Sequence, residues 1–180
     1  MRNEINRKEF LEKSIALTVS AMLTPFISKS GELFQVDKKI KIGLIGCGSV
    51  SGMYLPHLSK SKFVEIVSVC DIIPERASKA AEKFNVPNHY THIDQLLAGA
   101  PFELMVNLTN MQEHGRLNKQ ALLARKHIWS EKPMANTYQE GKELLDLAKK
   151  QGVRIWGAPA VVNSPQFTYM AKAIKKKKIG

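Results

Sequence analysis

The sequence predicts an α/β fold: a doubly wound parallel sheet with helices on both faces, three layers (α-β-α) in all. Two observations predict it. From Lys39 onward, short apolar, β-branched runs alternate with amphipathic helical stretches, the pattern of βαβ units joined by right-handed crossovers. A glycine-rich turn, Gly46-Cys47-Gly48-Ser49-Val50-Ser51-Gly52, directly follows the first of those runs and precedes a helical segment, the context in which such a turn carries meaning.

Each element has its own justification. Ile40 to Ile45 reads as a buried strand ended by Gly46, and Val64 to Cys70 as a second. Pro74 opens a helix at its first position, where a missing N–H costs nothing. Ala77, Ala80, Ala81 and Phe84 recur along it at i, i+3, i+4 and i+7, one apolar stripe. Leu104 to Leu108 predicts a strand, Gly115 to Ala124 a helix and His127 to Trp129 a strand. Thr137 with Glu140 makes a capping box for the next helix. Gly141, Leu144, Leu145 and Ala148 are its expected buried face, and Gly152 is its expected stop. Val153 to Trp156 supplies a further strand. No internal repeat is present beyond this alternation.

The 180 residues have room for one ordinary domain plus appendages. A hydrophobic fraction of 44% and a charged fraction of 24% describe a soluble globular chain. The two cysteines, Cys47 and Cys70, define no disulfide framework and fit no zinc spacing. His57, His89, His92 and His127 likewise show no ligand spacing, so no metal site is expected. The net charge of +11 invites a nucleic-acid reading. Its distribution speaks against one: Lys172 and Lys175 to Lys178 crowd the C-terminus, while other basic residues alternate with acids, as on a solvated helix face. No stacking aromatics accompany the lysines.

Residues 1–30 stand apart. A charged stretch, Arg2 to Lys13, precedes a mildly apolar one, Ile15 to Ile27, too short for a stable membrane anchor. That layout suits an export signal. Asn6-Arg7-Lys8-Glu9-Phe10-Leu11 resembles the twin-arginine consensus, with Lys8 in place of the second arginine and Asn6 where Ser or Thr is usual. The expectation is export, to the periplasm by a twin-arginine-type route, with a cytoplasmic protein bearing an extra N-terminal segment as the alternative. Residues 31–38 then form a linker, 39–160 the α/β domain, and 161–180 a terminal linker helix.

The glycine-rich turn has the chemistry of a diphosphate site. Gly46 permits a tight turn, and Gly48 lets the backbone approach an anion with no side chain between. The N–H groups of Ser49, Val50 and Ser51 face that anion from a helix N-terminus. Ser51 replaces the third glycine and is small enough for close helix–strand packing. Asp71 closes the second strand, about 20 residues beyond Gly48, where a carboxylate accepts hydrogen bonds from an adenosine ribose. A carboxylate there repels a 2′-phosphate, and Ile72 offers no charge in compensation, although Arg76 lies near. NAD is therefore favoured over NADP. A methyltransferase would want an acid just ahead of the glycines, where Leu44 and Ile45 stand.

Glu131-Lys132-Pro133 follows the strand His127 to Trp129 at the sheet's carboxyl edge, where open α/β sheets bind ligands. Together with Gly46 to Gly52, Cys70-Asp71, Pro74 to Ala77, Thr109 with His114, and Gly152, it resembles the Gfo/Idh/MocA family of glucose–fructose oxidoreductase-like and inositol dehydrogenase-like enzymes. The resemblance covers Lys39 to Gly180. It implies that Lys132 contacts both nicotinamide and substrate hydroxyl, helping the proton leave as hydride moves. It implies that Glu131 positions the nicotinamide ribose and that Pro133 shapes the turn, a cis bond being one way to do so. Thr109 and Asn110 would line the cofactor groove, and His114 would approach the nicotinamide end. The family's usual Thr-Pro-Asn-x-x-His is here Thr109-Asn110-Met111-Gln112-Glu113-His114, which alters the middle contacts.

The resemblance also implies a second, α+β domain that binds a sugar or polyol substrate and forms the subunit interface of a homo-oligomer. This chain stops before it, as a fragment or a truncated form would. Three readings follow: the cofactor half of a dehydrogenase, the same half serving redox-assisted glycoside cleavage, or a non-catalytic dinucleotide-binding module. For any of them, apolar surface near Ala158 to Ile174 is expected to stand uncovered.

Overall fold

The computed structural model describes residues 38–158 and 164–178. The expected export segment and most of the linker after it lie outside the described residues. Strands β1 (Ile40–Ile45), β2 (Val64–Cys70), β3 (Asn88–Tyr90), β4 (Leu104–Asn107), β5 (His127–Ser130) and β6 (Ile155–Gly157) form one sheet in the order 3-2-1-4-5-6, every pair parallel. Helices α1 (Ser51–Leu58), α2 (Pro74–Phe84), α3 (Ile93–Ala98), α4 (His114–Leu123), α5 (Tyr138–Gln151) and α6 (Pro165–Lys175) alternate with them. The strand order reverses between β1 and β4, and such a reversal opens a crevice at the carboxyl edge.

Alternation along each strand divides the core between the two faces. Ile42, Leu44, Val69, Val106 and Leu108 pack with Leu55 of α1 and with Ala80 and Ala81 of α2. Ile45, Cys70, Met105 and Ile128 pack on the other face with Leu96 of α3, Leu117 and Ala121 of α4, and Leu144 and Ala148 of α5. A bulge in β2 shifts the pairing between Ile42 and Gly43, so that Ile66 and Val69 share a face although three residues apart.

The helix ends follow from turn chemistry. Asn85, Arg125 and Gly152 each adopt a left-handed conformation just past a helix, at φ of 53°, 55° and 69°. After each, paired main-chain bonds return to the last turn, as in Lys126 N–H to Ala121 O at 2.9 Å and Arg125 N–H to Leu122 O at 2.9 Å. Thr137 caps α5 by accepting from Glu140 N–H at 3.1 Å. Glu140 reaches back one residue further than a capping box requires, accepting from Asn136 N–H at 2.7 Å.

Two expectations need correction. Leu145 is 52% exposed, not buried; Leu147 packs against the core beside Leu144 and Ala148 instead. Nearby, Gly115 of α4 lies directly against the Glu140 carboxylate, where a Cβ would collide with it. The pair β3 and α3 was not expected at all, because three and six residues are too short for a periodic signal. Helix α6 leaves Phe167, Tyr169, Met170 and Ile174 exposed, the uncovered apolar surface expected there. Among the described residues no helix is long and apolar enough to cross a membrane.

Candidate dinucleotide-binding site

The turn after β1 is built as its sequence requires. Gly46 has φ +95°, and a Cβ on it would lie 2.6–2.7 Å from the main chain of Leu108 and Thr109. Only glycine lets the loop cross the end of β4 this closely. Gly48 is different: a Cβ there would meet only the tip of Arg76, at 4.0 Å. Space is left open above it, on the side where an anion would rest.

Among the described hydrogen bonds, the amides of Ser49 and Val50 donate to no protein acceptor, and no side chain caps α1. Ser51 departs from expectation. Its N–H turns inward to Gly48 O at 3.2 Å, and its buried hydroxyl donates to the same oxygen at 2.6 Å. The free amides of the cradle are thus those of Ser49 and Val50, with Ser51 bracing the turn beneath them. This is the fit a diphosphate needs: unpartnered N–H groups, a helix N-terminus and no side chain in the way.

Asp71 is buried at the end of β2. One carboxylate oxygen accepts from Cys47 N–H at 2.8 Å and the other from Ile73 N–H at 2.9 Å. The side chain therefore fastens the glycine-rich loop to the second strand, and each oxygen keeps a second acceptor site for a ligand hydroxyl. Burial, and after it the Asp71 charge, push both thiols, Cys47 and Cys70, up to about 12. They are protonated packing groups rather than nucleophiles.

Gly46, Gly48, Asp71, Ile72, Arg76, Thr109 and Asn110 line one groove of about 540 Å³ across the β1/β4 reversal. Glu113, Arg116 and Leu117 of the following turn and helix close its far wall. None of these three was expected from sequence; the side-chain pair Arg116–Glu113, joined at 2.8 Å, is an ordinary exposed i, i+3 pair until folding places it here. Thr109 is fixed by Asn107, whose side-chain oxygen accepts from its N–H at 3.2 Å and its hydroxyl at 2.7 Å.

The Glu131-Lys132-Pro133 corner leaves the neighbouring strand β5, and the Lys132–Pro133 bond is cis. Glu131 is held on both oxygens: Tyr54 of α1 donates its hydroxyl to one, and Lys132 N–H donates to the other at 3.0 Å. Burial and that hydrogen bond raise the Tyr54 phenol above its ordinary value. The Lys132 side chain is exposed, and no ion pair joins it to Glu131 among the described residues. Its ammonium is thus available at the sheet edge.

His114 lies between Thr109 and the Glu131-Lys132-Pro133 corner, held by the main chain. It is 1% exposed, with Nδ1 at 2.6 Å from Pro133 O and Nε2 at 3.0 Å from Thr109 O. With both nitrogens facing main-chain carbonyls, the ring joins the two loops and has no nitrogen left for a cofactor. Tyr54, Asn107, Asn118 and Ser130 escaped the sequence reading; a polar Asn118 inside the apolar stripe of α4, four residues after His114, was the one signal present.

Comparison with known proteins agrees with this geometry. The family model described as "Oxidoreductase family, NAD-binding Rossmann fold" (GFO_IDH_MocA) matches residues 40–158. An inositol 2-dehydrogenase/D-chiro-inositol 3-dehydrogenase of Lactiplantibacillus plantarum is 29% identical over 143 residues, 78% of this chain and 41% of that protein. A glycosyl hydrolase family 109 protein of Shewanella sp. is 30% identical over 120 residues, 62% of this chain and 26% of that one. The WlbA dehydrogenase of Bordetella pertussis, solved with NADH and UDP-GlcNAcA, superposes with a TM-score of 0.73 at 26% identity, covering 79% of this chain and 44% of that one. The chain spans about two fifths or less of the length of the curated relatives it matches. With its 3-2-1-4-5-6 parallel sheet, glycine cradle and Glu-Lys-Pro corner, the chain belongs to the Gfo/Idh/MocA oxidoreductase family and carries that family's NAD-binding Rossmann fold.

Proposed function

We propose that this chain is the cofactor-holding half of an oxidoreductase that moves hydride between a sugar- or cyclitol-type hydroxyl and a nicotinamide ring. The observation that carries the reading is the groove across the β1/β4 reversal, lined by Gly46, Gly48, Asp71, Arg76 and Thr109; the open amides of Ser49 and Val50 follow Gly48 in the chain, and Glu131 and Lys132 follow β5, the strand paired with β4. A nicotinamide dinucleotide, when bound, supplies the hydride acceptor or donor. The chain's own residues do the rest. The Ser49 and Val50 amides neutralise the diphosphate, and Asp71 takes the adenosine ribose hydroxyls on its remaining lone pairs. Glu131, steadied by Tyr54, orients the second ribose. Lys132 Nζ is placed to hydrogen-bond a reacting hydroxyl and help its proton leave as hydride moves, a role worth roughly a hundred- to ten-thousandfold in rate.

The preference for NAD rests on Asp71: a buried carboxylate opposes a 2′-phosphate, and the exposed Arg76 beside it offsets only part of that opposition. Calorimetric titration with NAD and NADP tests the reading. The expected result is tighter binding of NAD, with Asp71→Ala weakening NAD and narrowing the difference. Uptake of neither nucleotide by folded protein would overturn the function; equal affinities before and after substitution would overturn the ribose assignment.

The likeness to a glycosyl hydrolase family 109 protein favours a second reading, in which the same half serves redox-assisted elimination. Joined to a substrate domain, net NADH formation on a free sugar supports the first reading, and release of an aglycone without net NADH the second. Export is part of the proposal too, on the twin-arginine-like Arg7-Lys8 segment; fractionation of cells expressing the chain, with Arg7→Gln/Lys8→Gln as the variant, tests it.

A further inference from the structure

On each of two adjacent strands the last residue before the site is polar, faces the same side of the sheet and is fully buried. Asn107 and Ser130 are register partners across β4 and β5, and both are 0% exposed. Over them lies Asn118 of α4, also 0% exposed. Its side-chain oxygen accepts from Asn107 Nδ2 at 2.9 Å; its amide nitrogen donates to Ser130 Oγ at 3.0 Å and to Met134 O at 3.0 Å. Ser130 Oγ donates onward to Glu131 O at 3.1 Å. Asn107 ends the chain of bonds on Thr109, and its main-chain oxygen accepts from Glu131 N–H at 2.9 Å.

Three such groups are costly to bury, and apolar side chains of similar size would hold helix to sheet without that cost. What they add is direction. A hydrogen bond fixes its partners within a few tenths of an ångström, whereas apolar contacts let neighbours slide. The outer ends of this network fall on two segments only, Thr109 after β4 and Glu131 to Met134 after β5. His114, one turn before Asn118, ties the same segments through Thr109 O and Pro133 O.

We infer that Asn118, acting through Asn107 and Ser130, is a positioning residue for the nicotinamide end of the site: it sets Thr109 and the Lys132 corner at a fixed separation while leaving the adenosine end untouched. This rests on the dinucleotide reading above. The adenosine end depends on separate groups, Gly48, Ser49, Val50 and Asp71, none of which the network touches.

The test titrates NADH and ADP-ribose, which lacks the nicotinamide, into the full chain, unaltered and with Asn118→Ala or Ser130→Ala. Thermal melting establishes which variants fold. In Asn118→Ala, NADH affinity is expected to fall about tenfold, the effect of leaving buried partners unpaired. ADP-ribose affinity is expected to stay within about twofold, as for independent sites, and the fluorescence of bound NADH to move toward that of the free coenzyme. Ser130→Ala shows the same selectivity more weakly, and decides by the same criterion if Asn118→Ala does not fold. Parallel loss of both ligands means general structural support and overturns the inference, as does unchanged NADH binding. If the unaltered chain binds neither ligand, the dinucleotide reading falls and the inference falls with it.

Discussion

Replacing Gly46 and Gly48 by alanine, one at a time, separates what holds the fold from what holds the ligand. At Gly46 the new Cβ has nowhere to go: three main-chain atoms of Leu108 and Thr109 lie 2.6–2.7 Å away, and φ is +95°. Steric cost of positive φ is about 1–2 kcal/mol, and forced overlap with neighbours that cannot rotate aside adds about 1–3 kcal/mol. A total of about 2–5 kcal/mol is a large share of the ~5–15 kcal/mol that holds a domain together. For a chain of this size it lowers Tm by about 5–15 °C. At Gly48 the nearest atom is the flexible end of Arg76 at 4.0 Å, so Gly48→Ala changes stability by less than about 0.5 kcal/mol. It nevertheless puts a methyl group where a diphosphate must sit. Differential scanning calorimetry with and without NAD measures both effects. Gly46→Ala melts early in either condition; Gly48→Ala melts normally alone and loses the shift that NAD gives the unaltered protein. A Gly48→Ala variant that keeps the full NAD shift, or a Gly46→Ala variant that melts normally, refutes this account of the turn.

Three further expectations concern stability alone. Ser68 Oγ is buried in β2 with no hydrogen-bond partner among the described residues, so Ser68→Ala should raise stability by about 1 kcal/mol in chemical denaturation, and a loss would reveal an overlooked partner. Arg125 occupies the left-handed position that Gly152 fills after α5; Arg125→Gly should raise Tm by about 1–3 °C, since relief of about 1–2 kcal/mol exceeds the extra chain entropy of glycine. A lower Tm would mean the arginine side chain contributes a contact of its own. Cys47 and Cys70, both at about 12, are raised above the unfolded value near 8.5. Their contribution is therefore complete below about pH 8.5 and is lost as pH rises toward 12, because the unfolded thiols ionise first. Denaturation midpoints between pH 7 and 10.5 should fall, and the fall should shrink in a Cys47→Ala/Cys70→Ala variant; equal slopes in both would remove the thiols as its cause.

Local chemistry was legible in the chain. The apolar run Ile40 to Ile45, the alanine stripe of α2, Pro74 at a helix start, and Thr137 and Gly152 at the ends of α5 are relations between neighbours or near neighbours. Backbone sterics and turn preferences act at that range, so strand, turn and helix fell where expected. The coarse function followed, because a diphosphate cradle is itself a local device: a strand end, two glycines and the first turn of a helix.

What the tertiary structure alone decided is the set of relations between distant segments. Leu145 and Leu147 are equally apolar, and only the packing of α5 settles which of them faces the core. Tyr54 meets Glu131 across 77 residues, and Asn118 finds Asn107 and Ser130 only once β4 and β5 are in register. His114 meets Thr109 O and Pro133 O only because folding brings the loops after β4 and β5 together. Buried polar groups take whatever partners the packed chain presents, and hydrogen-bond geometry discriminates among those partners at sub-ångström range. Sequence spacing carries no information at that scale, which is why the glycine loop could be read from residues alone and the network behind Lys132 could not.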